Sequence, residues 1–209
     1  MLCSPVVMTD TFIQQIAATS LAEWLAVGLA IAYVWLAARQ NSWCWLCAFL
    51  STAIYTYLFW QVTLPFQSLL NFFYMIMAVY GYYQWKKGQQ TAAGVQSWPW
   101  YWHLAIVPTL LLAGWGLALV AAGQFNNEFL WLDACIQVLS VVTTFMVDHK
   151  VLQNWVYWFF INLASAYLYA QSGLILSACL FTGYVGFSVY GYWQWLGQWK
   201  MQHESHAYN

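Results

Sequence analysis

The chain has 209 residues, of which 63% are hydrophobic, 21% aromatic and 5% charged, with sixteen tryptophans. A soluble domain carries about a quarter charged residues, so this chain has too little polar surface to face water on all sides. A formal net charge of -1 excludes a nucleic-acid partner, which would need a basic face, and the length suits one integral membrane domain.

Residues 1–19 lack a basic stretch followed by a small-residue cleavage site, so they read as a short external extension, not a cleaved signal peptide. Seven apolar segments follow, each near the length of about twenty residues that spans a bilayer as a helix. The first covers 20–38 and stops at Arg39-Gln40-Asn41-Ser42; the second covers 43–60 and precedes Pro65. The third, 66–85, ends at Lys86-Lys87-Gly88, and the fourth, 101–121, ends at Gly123-Gln124-Phe125-Asn126-Asn127. The fifth, 131–147, runs into Asp148-His149-Lys150; the sixth, 154–170, stops at Ser172-Gly173; the seventh is 174–195. Trp and Tyr crowd these breaks, as in interfacial belts.

Val79-Tyr80-Gly81-Tyr82-Tyr83-Gln84-Trp85 returns as Val189-Tyr190-Gly191-Tyr192-Trp193-Gln194-Trp195, 110 positions later. Upstream, Trp43, Tyr55 and Tyr57 match Trp155, Tyr167 and Tyr169 at an offset of 112. The chain is a duplicated unit, an arrangement that in membrane proteins points to a transporter with its site between the halves. Two consecutive three-helix units would point in opposite directions, and the fourth helix restores their parallel orientation. The expected fold is therefore all-α and membrane-integral, with two parallel three-helix repeats joined by a peripheral linker helix (3+1+3). The repeats are 20–85 and 122–197, the loop and linker 86–121, and the tail 198–209. Charge agrees with this count. Arg39, Lys86, Lys87, Lys150 and Lys200 all follow odd-numbered helices and so share one face. Basic loops stay cytoplasmic, which puts the C-terminus inside and the N-terminus outside.

Polar residues recur at steps of three and four on helix 5 (Asp133, Gln137, Ser140, Thr144, Asp148) and helix 6 (Trp155, Trp158, Asn162, Ser165, Tyr169). Helix 3 does likewise with Gln67, Asn71, Tyr74, Ala78 and Gly81, and helix 7 with Ser177, Phe181, Tyr184, Ser188 and Gly191. Such stripes avoid lipid and face protein or a cavity. Interhelical hydrogen bonding accounts for Ser140, Thr144, Ser165 and Ser188. The amides Asn71, Gln137 and Asn162 lie near mid-span and are expected to touch a ligand. With no Lys or Arg mid-span, a phosphorylated ligand lacks partners. A flat cationic heterocycle instead suits aromatic faces, and Trp158, Tyr74, Tyr184 and Tyr167 are the candidate stacking partners.

Other signals are weaker. Cys44-Trp45-Leu46-Cys47 has redox spacing but opens a membrane helix without a second ligand pair, so no metal or cofactor is expected. No mid-span lysine serves a retinal Schiff base, although a seven-helix receptor stands as the alternative from another class. No catalytic cluster of His with Asp or Glu occurs in the spans, so an enzyme is not expected. None of the acidic residues is mid-span, which points to passive transport.

In several stretches the chain resembles the PnuC family of bacterial vitamin transporters, which shares the 3+1+3 arrangement with the SWEET sugar facilitators. The stretches are Arg39-Gln40-Asn41-Ser42-Trp43-Cys44-Trp45, Tyr80-Gly81-Tyr82-Tyr83-Gln84-Trp85 and Trp131-Leu132-Asp133-Ala134 with Leu139-Ser140. Lys150, Asn154-Trp155, Trp158 and Tyr190-Gly191-Tyr192 continue them, over roughly residues 20–197. The resemblance implies uptake of nicotinamide riboside or thiamine across the bacterial inner membrane by facilitated diffusion. It also implies a cytoplasmic vitamin kinase as functional partner, which traps the product; homo-oligomerisation is left open. Family members of the nicotinamide riboside type often have Gln where this chain has Asn71, and many short members have an acidic residue where it has Asn162. A shorter amide and a lost carboxylate favour thiamine, with nicotinamide riboside as the alternative.

Overall fold

A computed structural model describes residues 21–61, 65–90, 94–123, 129–171 and 175–207. Seven helices account for almost all of them: α1 Leu21–Ala38, α2 Cys44–Gln61, α3 Pro65–Gln90, α4 Trp100–Ala121, α5 Leu130–Asp148, α6 Asn154–Gln171 and α7 Ile175–Ala207. The first 19 residues, read above as an extension, lie outside the described residues. An 18-residue helix is about 27 Å long, close to the hydrocarbon thickness. Among the described residues α1, α4 and α5 are long and apolar enough by composition alone to cross a membrane. The remaining helices carry more polar and aromatic groups, some packed inward, such as Trp85 and Trp195, and others exposed, such as Trp60 and Trp193.

Two helices outrun their expected ends. α3 continues through Lys86 and Lys87 to Gln90, and α7 has 33 residues, about 50 Å. The residues after Trp195 are polar but favour helix, and nothing among them breaks it. The segment 198–207, expected as a tail, is thus mostly a rigid extension of α7.

The helices form two bundles, α1–α2–α3 and α5–α6–α7. They meet along two seams, α3 against α5 and α1 against α7, while α4 packs chiefly on α5 and touches α6 through His103 and the Tyr157 hydroxyl. Under the repeat, α1 corresponds to α5 and α3 to α7, so the two seams are copies of each other. This is the contact pattern that parallel duplicated halves require.

The turns after α1 and α5 repeat bond for bond. Gln40 N–H donates to Ala37 O and Asn41 N–H to Leu36 O, as Lys150 N–H does to Val147 O and Val151 N–H to Met146 O. These are the paired bonds of a Schellman helix stop. Its left-handed residue is Gln40 in one copy and Lys150 in the other, both at φ 53°. Beyond the turn, Trp45 packs over Gly81 and Trp155 over Gly191, so closely that a methyl group on either glycine would collide with the indole. The equivalent tryptophans of α2 and α6 are therefore Trp45 and Trp155, 110 apart. The offset of 112 read from Trp43, Tyr55 and Tyr57 is corrected: one offset runs through both turns.

Between α3 and α4 the chain crosses the second turn in an extended conformation. Gln96 N–H donates to Lys150 O, and Leu152 N–H donates to Gln96 O. The Gln153 amide closes the attachment through Ser97 Oγ, Trp98 O and Trp98 N–H.

Candidate functional site

The ends of α1, α3, α5 and α7 that carry Arg39, Lys86, Lys150 and Lys200 converge on one side, here the basic end. Trp85 Nε1–H on α3 donates to Val147 O at the end of α5, at 3.1 Å. Trp195 Nε1–H on α7 donates to Ala37 O at the end of α1, also at 3.1 Å. Donors and acceptors are both 110 residues apart, so each seam is closed by the same bond. The two indoles meet each other, and each meets a second tryptophan edge-on: Trp45 with Trp85 at 5.3 Å and Trp155 with Trp195 at 5.5 Å. All four are at most 4% exposed. A continuous plug of indole fills the middle of the basic end.

Each seam also carries an outer clasp. On the α3–α5 side Tyr80 stacks on Phe145, Gln84 donates to Tyr80 OH at 2.6 Å, and both polar groups lie 3.3 Å from His149 Nε2. On the α7–α1 side Tyr190 stacks on Trp35, Gln194 donates to Tyr190 OH, and Arg39 covers Trp35 at 4.3 Å. Lys150 Nζ lies 5.2 Å from the Trp85 ring centre. Burial lowers its pKa, a shift that the nearby Cys44 thiol opposes.

Away from the plug, about 10 to 16 Å along the helices, the interior becomes polar. Asn162 on α6 donates to Ser188 Oγ on α7 at 3.1 Å, and Ser188 donates to Tyr184 O at 2.9 Å. Across the seam, Tyr74 on α3 is hydrogen-bonded to Ser140 on α5, with Tyr169 nearby. Tyr74 and Tyr184 are repeat partners. Further out, Gln137 Nε2 donates to Asp133 Oδ1 at 3.4 Å. Trp158 packs against the plug and against the smaller apolar cluster of Ile136, Ile161 and Leu168, and Asn71 is half-buried on α3. All seven expected site residues lie on α3, α5, α6 and α7, and six of them are buried or half-buried.

Tyr167 does not join them. It is 52% exposed and meets Phe129 edge-on at 6.2 Å. A helix turns 100° per residue, so Tyr167 lies well off the Asn162 face while Tyr169, seven residues beyond Asn162, returns to it. Tyr169 lies near Asp133 and meets Phe181 at 5.1 Å. It replaces Tyr167 as the inward aromatic, and its place in the three-four stripe of helix 6 was the signal for it.

Two further groups were not among the expected site residues. Tyr33 on α1 sits among Cys44, Asp148 and Tyr74. Asp148 is 1% exposed, and neither carboxylate oxygen has a hydrogen-bond partner in the structure. Sequence position put Asp148 at a helix end, which concealed that the α3–α5 seam closes over it.

The fold and this interior define a duplicated seven-helix membrane protein, plugged at one end and lined with tyrosine and amide groups beyond. A solved structure with the same architecture is described as the crystal structure of the vitamin B3 transporter PnuC. The two superpose with a TM-score of 0.69 over 93% of this chain and 88% of that one, at 19% identity. The nicotinamide riboside transporter PnuC of Escherichia coli K12 is 24% identical over 152 residues, and that of Haemophilus influenzae is 25% identical over 154. These alignments take in 60% and 68% of this chain, and 64% and 65% of those relatives' lengths. The family model described as nicotinamide mononucleotide transporter matches residues 20–197, and the chain belongs to that family.

Proposed function

We propose that this protein is a bacterial inner-membrane carrier for an unphosphorylated vitamin with a flat cationic ring, bound between its two repeats. The observation that carries this reading is the layer around Tyr74, Ser140, Asn162, Ser188 and Tyr184, neutral and rich in ring faces. Its neutrality argues against a phosphorylated ligand, whatever the family description names, because every Lys and Arg follows the end of a span. Desolvated cation–π attraction of about 2 kcal/mol per contact favours a cationic ring there.

Thiamine is the favoured substrate, on the short Asn71 amide and the uncharged Asn162. The second reading, nicotinamide riboside, is the substrate for which the Escherichia coli and Haemophilus influenzae relatives are named. Transport runs down the substrate gradient, and a cytoplasmic kinase makes it one-way by phosphorylating the product. The basic end is cytoplasmic, so the plug closes the inner side and the polar layer faces outward.

Titrating the purified protein with thiamine, nicotinamide riboside, riboflavin and thiamine phosphate, with thermal unfolding as readout, tests the site. Ligand binding to the native state raises apparent stability by mass action. Thiamine stabilises at the lowest concentration and thiamine phosphate does not stabilise. Equal stabilisation by thiamine phosphate contradicts the neutral site, and stabilisation by nicotinamide riboside alone reverses the substrate order.

A further inference from the structure

The two repeats differ sharply in one place. In the second repeat, Val95 from the segment before α4 is only 4% exposed and belongs to the apolar cluster that also takes in Leu152, Trp155, Tyr192 and Leu196. The backbone of Gln96 beside it is bonded to the α5–α6 turn. The equivalent place in the first repeat, shifted by 110 residues, has no covering chain among the described residues. It is an open cleft of about 860 Å3 between the α1–α2 turn and the end of α3, lined by Arg39, Trp43, Leu46, Tyr82, Tyr83 and Lys86, among others.

Its chemistry departs from that of the covered copy. Leu196 is replaced by Lys86, Leu152 by Ser42, Gln153 by Trp43 and His149 by Arg39, while Lys150 is replaced by Gln40. The lining of the open copy carries two cations and a further ring face where the equivalent positions of the covered copy carry one lysine. Arg39 rests on the Trp35 ring at 4.3 Å and Lys86 on the Tyr82 ring at 5.5 Å, and neither meets a carboxylate among the described residues. Both cations line the cleft together with the apolar side chains of Leu46, Phe49 and Ala78. A ligand that matches has an anionic head and an apolar body and arrives from the membrane side.

We infer that this cleft binds an anionic phospholipid, with the phosphate between Arg39 and Lys86 and an acyl chain along Leu46 and Phe49. Basic pockets between helices on the cytoplasmic side fit such headgroups, each cation contributing enough for roughly a fivefold change in affinity. The lipid takes the place in the first repeat that residues 95–98 take in the second, and so braces α2 against α3. This inference rests on the membrane placement of the basic end and not on which vitamin is carried.

The test uses the full chain in dodecyl maltoside, with dioleoyl phosphatidylglycerol, dioleoyl phosphatidylcholine or inorganic phosphate added and thermal unfolding recorded. Phosphatidylglycerol raises the midpoint and the other two do not. Lys86→Gln weakens its apparent affinity about fivefold, and Arg39→Gln with Lys86→Gln about 25-fold, while Lys200→Gln on α7 has no effect. If the double variant does not fold, Lys86→Gln alone decides. Equal stabilisation by both lipids, an unchanged response in Lys86→Gln, or stabilisation by free phosphate overturns the inference. In phosphatidylglycerol vesicles, a disulfide dimer formed by Tyr83→Cys but not by the parent chain assigns the cleft to a second copy and overturns it too.

Discussion

Gln40 and Lys150 hold the left-handed backbone conformation that helix stops usually give to glycine. For a residue with a side chain this conformation costs about 1–2 kcal/mol. Gln40 also buries its amide nitrogen without a hydrogen-bond partner. Gln40→Gly relieves both costs against the added freedom of an unfolded glycine, so it is expected to raise stability by about 1 kcal/mol. A lower unfolding midpoint in this variant would contradict the assignment of the turn. In the polar layer, Trp158→Ala and Asn162→Ala are expected to weaken vitamin binding about tenfold, because a lost ring face costs roughly 1–2 kcal/mol. Binding titration on folded variants checks this, and unchanged affinity in both returns these residues to packing. Residue chemistry of this kind was partly legible in the sequence. The three-four stripe placed Asn162 and Tyr169 on one face. Tyr167 stands five residues from Asn162, about 140° around the helix, and the structure turns it outward.

At the scale of elements, segment positions were readable because apolar length and interfacial aromatics both mark helix ends. What escaped was any feature set by contact between distant helices. The offset of 112 looked sound from matching letters, yet Trp45 and Trp155 occupy the equivalent places because each closes over a glycine of the next helix. Those glycines are strict requirements. Gly81→Ala drives a methyl into the Trp45 indole and the Asp148 carboxylate, and Gly191→Ala drives one into Trp155. The indoles are held in the plug and have nowhere to move, so each variant is expected to lose about 1–3 kcal/mol. Gly28→Ala, with open space around it, is expected to cost nothing by this route. Thermal unfolding of the three variants separates the cases, and an equal response in all three would contradict the close packing. The stripe of helix 5 turned Asp148 inward, but its place in the α3–α5 seam was not legible for a similar reason. Its neighbour Gly81 lies 67 positions away in the chain, and only the seam brings them together.

At the scale of the molecule, the duplicated contact pattern fixes the relation between the halves. Two equivalent seams, each closed by an indole-to-carbonyl bond at the basic end, are the contacts that the proposed carrier would part to release its ligand on that side. We propose the membrane orientation from the placement of the basic residues, so a tag at Asn209 is expected to be reachable only from the cytoplasm and a tag at Met1 only from outside. Both tags on one side would break the seven-helix count. Energetically, a coupled carrier needs an ionisable group in the interior. Asp148 is the one buried carboxylate among the described residues, and it lies at the end of α5 beside the plug, away from the polar layer. The most direct test of the whole account is uptake of labelled thiamine into liposomes containing the purified protein, with and without imposed proton or sodium gradients. The account predicts saturable uptake that stops at the outside concentration under every gradient. Uptake no faster than into protein-free liposomes would contradict the carrier itself. Accumulation that a protonophore collapses would contradict passive transport and point to Asp148.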